Sequence, residues 1–460
     1  MVPSNSTVNM NRKFKTAFVC TSCGAMHPKW QGQCRECAAW NTLVEEQVVG
    51  SARKKTRAPA VTPVVLKDID DSDVNGFESG IDEFDRVLGT GVLPGSAVLL
   101  TGEPGIGKST LILQAAAALS RRHHRILYVT GEESLGQLKL RAERLGLADD
   151  NIVAANLTSL EQISAVLDDG DYQVVIIDSI QTVSVAAFDS PPGTISQIRE
   201  SAARLIEAAR RKNCALFMVG HVTKEGLVAG PKVLEHMVDV VLSFEGDSRH
   251  FYRLLRPLKN RYGSCQELGV FEMSSSGLNP VANPSSLFLS DNDDMYRSGT
   301  VVVASCEGSR PILAEIQALV SPTTYGTPQR VAAGFDGKKL ALLLAILEKR
   351  TGLPMAGQDV FVSVAGGLKL TEPAIDLAVL AAIVSSHRNL EIDPKTVVAG
   401  EVGLSGEIRA IGRAGQRIGE ALKLGFEKII IARQNVESVK HDKMQVVGVG
   451  SLEQALEILF

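Results

Sequence analysis

Between residues 68 and 278 short apolar runs alternate with longer stretches in which hydrophobic positions return every three to four residues. Ala97–Thr101, Ile126–Thr130, Val174–Asp178, Ala215–Gly220 and Val238–Phe244 are apolar at almost every position, the pattern of strands buried on both faces. Ser109–Arg121, Leu135–Leu145 and Ile195–Arg211 lie between the first four and carry helical spacing. That rhythm predicts a doubly wound, mostly parallel α/β sheet. A second mixed region opens with a strand at Thr300–Cys306. It continues with helices at Lys339–Glu348 and Ala374–Ser385 and β runs at Val360–Val364 and Lys428–Ala432. Asn279 to Pro284 reads as the break between the two. The expected division is a four-cysteine module over 1–50, a basic linker over 51–67, an α/β domain over 68–278 and a second α/β domain over 285–460.

Composition narrows the class. Hydrophobic residues make up 45% and charged residues 22% of 460, enough for more than one core. The net charge of −4 means that nucleic-acid contacts must come from local basic patches. No apolar run approaches the roughly 18–20 residues that cross a bilayer. Arg12, Lys13 and Lys15 are not followed by the apolar core of a signal peptide, so a cytoplasmic protein is expected.

Gly102-Glu103-Pro104-Gly105-Ile106-Gly107-Lys108-Ser109-Thr110 matches G-x4-G-K-[ST], with an apolar run before it and a helical stretch after it. Its glycines let backbone N–H groups wrap phosphates. Lys108 would reach the β and γ oxygens of ATP, and Ser109 would ligate Mg²⁺. Asp178 closes a buried strand at its carboxyl end, where an open sheet forms its ligand crevice, and would hold the Mg²⁺ water shell. Glu132, just past Thr130, would orient and deprotonate the attacking water; the plain alternative is an acid favoured at a helix N-terminus. His221, at the end of the fourth strand, is either a sensor of the γ-phosphate or a structural histidine.

Four cysteines in two C-x2-C pairs, Cys20 with Cys23 and Cys34 with Cys37, stand ten residues apart and describe a closed tetrahedral Zn²⁺ site. Redox or disulfide use is the rival reading. Cys214, Cys265 and Cys306 read as inert core residues. Gly/Pro-rich loops at Ser184–Gly193 and Thr223–Lys232 follow two of the strand ends and are candidates for DNA contact, with Lys224 and Lys232 meeting phosphates. Lys54, Lys55 and Arg57 of the linker are weaker candidates.

These strand ends, followed by Lys259-Asn260-Arg261-Tyr262-Gly263, resemble the bacterial RadA (Sms) DNA-repair family over essentially the whole chain. The resemblance implies a RecA-like ATPase that forms hexameric rings, binds single-stranded and branched DNA, and works with a recombinase (RecA) in branch migration. It also implies that Lys259 and Arg261 reach a neighbour's nucleotide across a subunit interface. The family's usual Phe is Tyr262 here. Asp359–Leu377 and Gly406–Arg417 are similar to the proteolytic domain of Lon, but Ala374 falls at the serine and Gly415 at the lysine of its catalytic pair. Neither can attack a carbonyl or accept a proton, so a Lon-like fold without proteolysis is expected. Lys369, Arg409, Arg413 and Arg417 leave a basic surface there, or merely a solvated exterior. An ATP-driven DNA motor is the leading reading; an ATP-dependent protease and an ATP-switched scaffold are the alternatives.

Overall fold

Apolar pentads become strands wherever the chain can sandwich them between helices. The computed structural model describes residues 14–21, 25–49, 65, 75–147, 150–188, 190–221, 231–246, 251–290, 297–324, 326–437, 439 and 443–460. Cys23, the linker candidates Lys54, Lys55 and Arg57, and Lys224 lie outside these residues. The chain divides into two units, 1–265 with 269–280, and 266–268 with 281–460.

The first unit begins with β1 (Phe14–Cys20), β2 (Met26–His27) and β3 (Leu43–Val49), an antiparallel sheet in the order β2-β1-β3. After it come α1 (Asp82–Leu88), β4 (Ala97–Gly102), α2 (Lys108–Arg121), β5 (Ile126–Thr130), α3 (Leu135–Arg144), β6 (Ile152–Asn156), α4 (Leu160–Asp169) and β7 (Val174–Asp178). Then follow α5 (Ile195–Lys212), β8 (Ala215–Val219), α6 (Pro231–Met237), β9 (Val240–Glu245), β10 (Tyr252–Asn260), β11 (Gly269–Ser274) and β12 (Gly277–Pro280).

These strands form one nine-stranded sheet, ordered β12-β11-β10-β9-β4-β8-β7-β5-β6. From β9 to β6 the pairing is parallel; from β9 to β12 it is antiparallel. Every residue of β4, β5, β7 and β8 is buried, between one apolar cluster that includes α1 and α2 and another that includes α4 and α5. Burial on both faces removes the polar–apolar alternation of a half-exposed strand. β6 and α4 were not expected: β6 is an edge strand with a mostly exposed sequence, Ile-Val-Ala-Ala-Asn, and gives no apolar-run signal. β12 draws Asn279 and Pro280 into this sheet.

The second unit carries β13 (Thr300–Glu307), β14 (Arg310–Pro322), β15 (Arg330–Ala333), α7 (Gly337–Thr351), β16 (Gln358–Val364), α8 (Asp376–Arg388) and β17 (Thr396–Val398). A two-stranded hairpin of β18 (Glu401–Val402) and β19 (Ile408–Arg409) precedes α9 (Ala414–Lys423), β20 (Lys428–Ala432), α10 (Arg433–Val436), β21 (Gln445–Val449) and α11 (Leu452–Leu459). Its mixed sheet runs β15-β16-β14-β13-β17-β20-β21. Ala374 is buried in a short 3-10 turn, Pro373–Ile375, ahead of α8 and not on that helix.

Two surface expectations change. Arg417 is 1% exposed and forms an ion pair with Glu372, while donating to Ala304 O at 2.5 Å and Gly412 O at 3.0 Å. It is an internal cross-brace and offers no charge to the exterior. Cys265 is exposed, with its sulfur accepting from Asn260 N at 3.1 Å, so it is not a core residue. No helix among the described residues is long and apolar enough to cross a membrane.

Candidate nucleotide and metal sites

The phosphate loop is a strand-to-helix turn that needs glycine where it leaves the sheet. A Cβ on Gly102 would lie 2.4 Å from Phe244 O, so β4 and β9 would be forced apart by any side chain there. Ile106 is buried and its carbonyl accepts from Arg253 Nε at 3.2 Å, which ties the loop to β10. Helix α2 then starts at Lys108 with no acidic residue in its first turn, leaving its N-terminal positive potential undiminished. Glu103, Pro104 and Gly105 are exposed along the loop; Ser109 and Thr110 are half-buried in the first turn.

Lys108 is only 3% exposed, and its Nζ donates to Gly102 O at 2.8 Å and Glu103 O at 2.9 Å. Burial lowers its pKa from 10.5 to about 8, against the opposing pull of the Asp178 and Glu132 charges. The loop's own carbonyls thus hold a cation that is poorly solvated and surrounded by acids.

Those acids come from adjacent strand ends. Thr130 of β5 pairs with Asp178 of β7. Asp178 is 6% exposed; Oδ2 accepts from the Tyr128 hydroxyl at 2.7 Å, and Oδ1 is buried with no hydrogen-bond partner among the described residues. A buried carboxylate oxygen left unpaired beside a phosphate loop fits the outer shell of a Mg²⁺ ion, which keeps several waters and few protein ligands. Glu132 follows β5 through Gly131, where a Cβ would fall 2.0 Å from Thr182 Oγ1; only glycine lets the two turns meet. A capping box of Ser134 and Gln137 then starts α3 and fixes the direction of the turn.

Glu132 Oε1 accepts from Ser179 Oγ at 2.5 Å and lies 2.9 Å from His221 Nε2. The His221 hydrogen bond, then the Ser179 bond and the charge of Lys108, bring the Glu132 pKa from 4.5 down to about 2 in spite of burial. Gln181 Nε2 donates to His221 O at 3.5 Å, while Gln181 Oε1 and His221 Nδ1 are buried without partners among the described residues. Lys108, Glu132, Asp178 and His221 are therefore one cluster.

Lys259 and Arg261 are placed elsewhere. Lys259 Nζ donates to Glu235 O at 2.8 Å and Val238 O at 2.7 Å, capping the end of α6. Arg261 pairs at 3.1 Å with Asp239, which is 2% exposed, also meets Arg210 and accepts from Ala97 N at 3.0 Å. Both cations are bound within their own chain. In the loop after β7, Gln197 Nε2 donates to Ser190 O at 2.8 Å and Phe188 O at 3.3 Å, and Gln197 Oε1 accepts from Val185 N at 2.8 Å. A buried glutamine therefore pins that loop. Most of the second loop lies outside the described residues; Lys232 falls in α6.

In the front module Cys20, Cys34 and Cys37 bring their sulfurs within 4.8 Å of one another, and Cys20 Sγ is 3.7 Å from Cys37 Sγ. A tetrahedral site with Zn–S bonds of about 2.3 Å has sulfur–sulfur edges of about 3.8 Å, so these thiols fit zinc. Cysteine spacing alone does not reveal His27, which is buried with Nε2 3.4 Å from Cys34 Sγ and Nδ1 2.9 Å from Gln31 Nε2. The apolar cluster here holds only Cys20, Ala25, Cys34 and Leu43 among the described residues, with Phe18 against it, too little to fold alone. Stripping zinc is expected to unfold residues 14–49, read as rapid proteolysis of that segment; an unchanged digestion pattern in metal-free protein contradicts it.

Tyr128, Ser179, Gln181, Arg253 and Asp239 are site-supporting residues that motif reading missed. Tyr128 alone left a signal: it is a hydroxyl inside an otherwise aliphatic run, and a buried tyrosine hydroxyl normally has a partner.

Family models match three segments: an AAA domain at 61–227, a rubredoxin metal binding domain at 18–45, and the ChlI subunit of Mg-chelatase at 342–435. The chain is 46% identical over 452 residues to the DNA repair protein RadA of Halalkalibacterium halodurans, covering 97% of this chain and 99% of that protein. To the DNA repair protein RadA of Listeria monocytogenes it is 48% identical over 451 residues, covering 97% and 98%. Among solved structures, an ATPase domain aligns with 46% of this chain and 93% of its own length, at 14% identity and a TM-score of 0.40. The architecture is a RecA-like ATPase sheet with a zinc ribbon before it and a Lon-like domain after it.

Proposed function

From the premise that this chain belongs to the DNA repair protein RadA family, we propose that it is an ATP-driven motor that binds single-stranded DNA and moves branched recombination intermediates. The observation that carries the reading is the cluster of Lys108, Asp178, Glu132 and His221 around one strand-end crevice. Lys108 exchanges its two loop carbonyls for β and γ oxygens of ATP. Ser109 and Asp178 would hold Mg²⁺, which shields phosphate charge when bound. Glu132 orients the attacking water and takes its proton. With Ser179 and His221 both on Oε1 its pKa is held at about 2, so losing a donor makes it the stronger base.

His221 lies directly before the candidate DNA loop at 223–232, so its hold on Glu132 couples turnover to that loop. Single strands would draw on His221, release Glu132 and speed hydrolysis. The protein works in the cytoplasm as a hexameric ring with a recombinase such as RecA. Ala374 and Gly415 offer no nucleophile and no base, which leaves the protease reading without chemistry.

The test is ATP turnover with and without single-stranded DNA over a salt series. Stimulation that falls steeply with salt supports the motor, since phosphate contacts release counterions. Slow turnover indifferent to DNA supports a switched scaffold instead. Lys259→Ala is expected to keep nucleotide binding and lose branch migration, whereas unchanged branch migration removes Lys259 from the motor.

A further inference from the structure

Tyr128 is fully buried in β5, among the core residues on the face of the sheet that α2 covers. In the parallel pairing of β5 with β7, Tyr128 stands opposite Ile176 and Thr130 opposite Asp178. Residues two apart on a strand share a face, so Tyr128 and Asp178 are diagonal neighbours on one surface. An aromatic side chain spans such a diagonal. The hydroxyl does so here, donating to Asp178 Oδ2 at 2.7 Å.

The contact makes the two carboxylate oxygens inequivalent. Oδ2 is occupied by the phenol; Oδ1 is buried and has no hydrogen-bond partner among the described residues. A carboxylate at the end of a strand has a broad, roughly two-fold torsion and by itself presents either oxygen. Phenylalanine would fill the same space without burying a hydroxyl.

We propose that Tyr128 is a positioning residue for the nucleotide's magnesium, gripping Asp178 by Oδ2 so that Oδ1 faces the ion's water shell. The proposal rests on the nucleotide-site reading above. It differs from a packing role in what it controls: the response to metal, and not the affinity for nucleotide as such.

The experiment titrates Mg²⁺ into full-length protein with a fluorescent, non-hydrolysable ATP analogue, and compares wild type with Tyr128→Phe. Removing a group that orients a metal ligand commonly weakens metal binding by about tenfold or more, so the half-saturating Mg²⁺ is expected to rise about tenfold. Analogue affinity in EDTA is expected to stay unchanged. ATP turnover should show the same displacement along the Mg²⁺ axis, with the deficit shrinking as Mg²⁺ is raised. Unchanged half-saturation in a folded variant overturns the proposal. So does a parallel loss of affinity with and without metal, which marks a packing role.

If wild type itself shows no Mg²⁺-dependent nucleotide binding, the site reading fails and Tyr128 falls with it; a normal wild type beside an indifferent variant removes Tyr128 alone. Should Tyr128→Phe not fold, 3-fluorotyrosine at position 128 gives a fluorine resonance in an otherwise intact chain. That resonance is expected to move when Mg²⁺ is added to the nucleotide complex, and a resonance indifferent to Mg²⁺ overturns the proposal.

Discussion

The Lys108→Ala protein is expected to hydrolyse ATP about 10³-fold more slowly than wild type, which for a slow ATPase is indistinguishable from background. Lys108 is almost fully buried, and burial has already lowered its pKa to about 8 against two carboxylates that favour its charge. A cation held in poorly solvating surroundings acts strongly on a phosphate, because little water competes for it. Alanine removes that charge and leaves the Gly102 and Glu103 carbonyls without their donor. Retention of more than about a tenth of wild-type turnover would count against the site.

The same residue gives a pH signature in wild type. Its pKa in the nucleotide-free protein lies below the ordinary 10.5, so between about 8 and 10.5 the folded protein has released a proton that the unfolded chain retains. Stability of the free protein therefore gains from this group as pH rises through that window. Phosphate restores the charged form, so nucleotide binding takes up a proton there. Calorimetry in buffers of different ionisation enthalpy measures the uptake directly, and Lys108→Ala should abolish it.

Glu132→Gln is expected to cut turnover by about 10²–10⁴-fold while nucleotide stays bound, the usual size of a general-base effect. Glutamine keeps an oxygen for Ser179 and His221, so the cluster's shape survives while the proton acceptor is lost. The variant should accumulate as an ATP-bound complex, seen as uncleaved nucleotide after gel filtration. Fast hydrolysis by Glu132→Gln would return Glu132 to the role of an acid at the start of α3, the plain reading that its position next to the Ser134 cap allows.

Local chemistry explains why much of this is legible in the sequence. The phosphate loop is a backbone conformation spelled by glycines within nine residues, and Asp178 announces itself by ending an unbroken apolar run. The C-x2-C pairs are just as local. β6 and α4 escaped because an exposed edge strand has no reason to be apolar throughout. Arg417 escaped for the opposite reason: an arginine in a polar stretch reads as surface until Glu372 and two backbone carbonyls are seen to enclose it. Lys259 and Arg261 carry a motif, yet the Glu235 and Val238 carbonyls and Asp239 are what they touch within the chain.

By itself the chain's order of residues determined the mostly parallel sheet, the nucleotide loop and the metal knuckles, since each depends on spacing within a few turns or strands. Only the tertiary structure decided that Tyr128 meets Asp178, that Ser179 and His221 close on Glu132, and that Asp239 gathers two arginines. Those contacts join residues up to 89 positions apart, and their formation depends on which strands lie side by side. Strand order is set by packing of the whole sheet, so no window of sequence contains it.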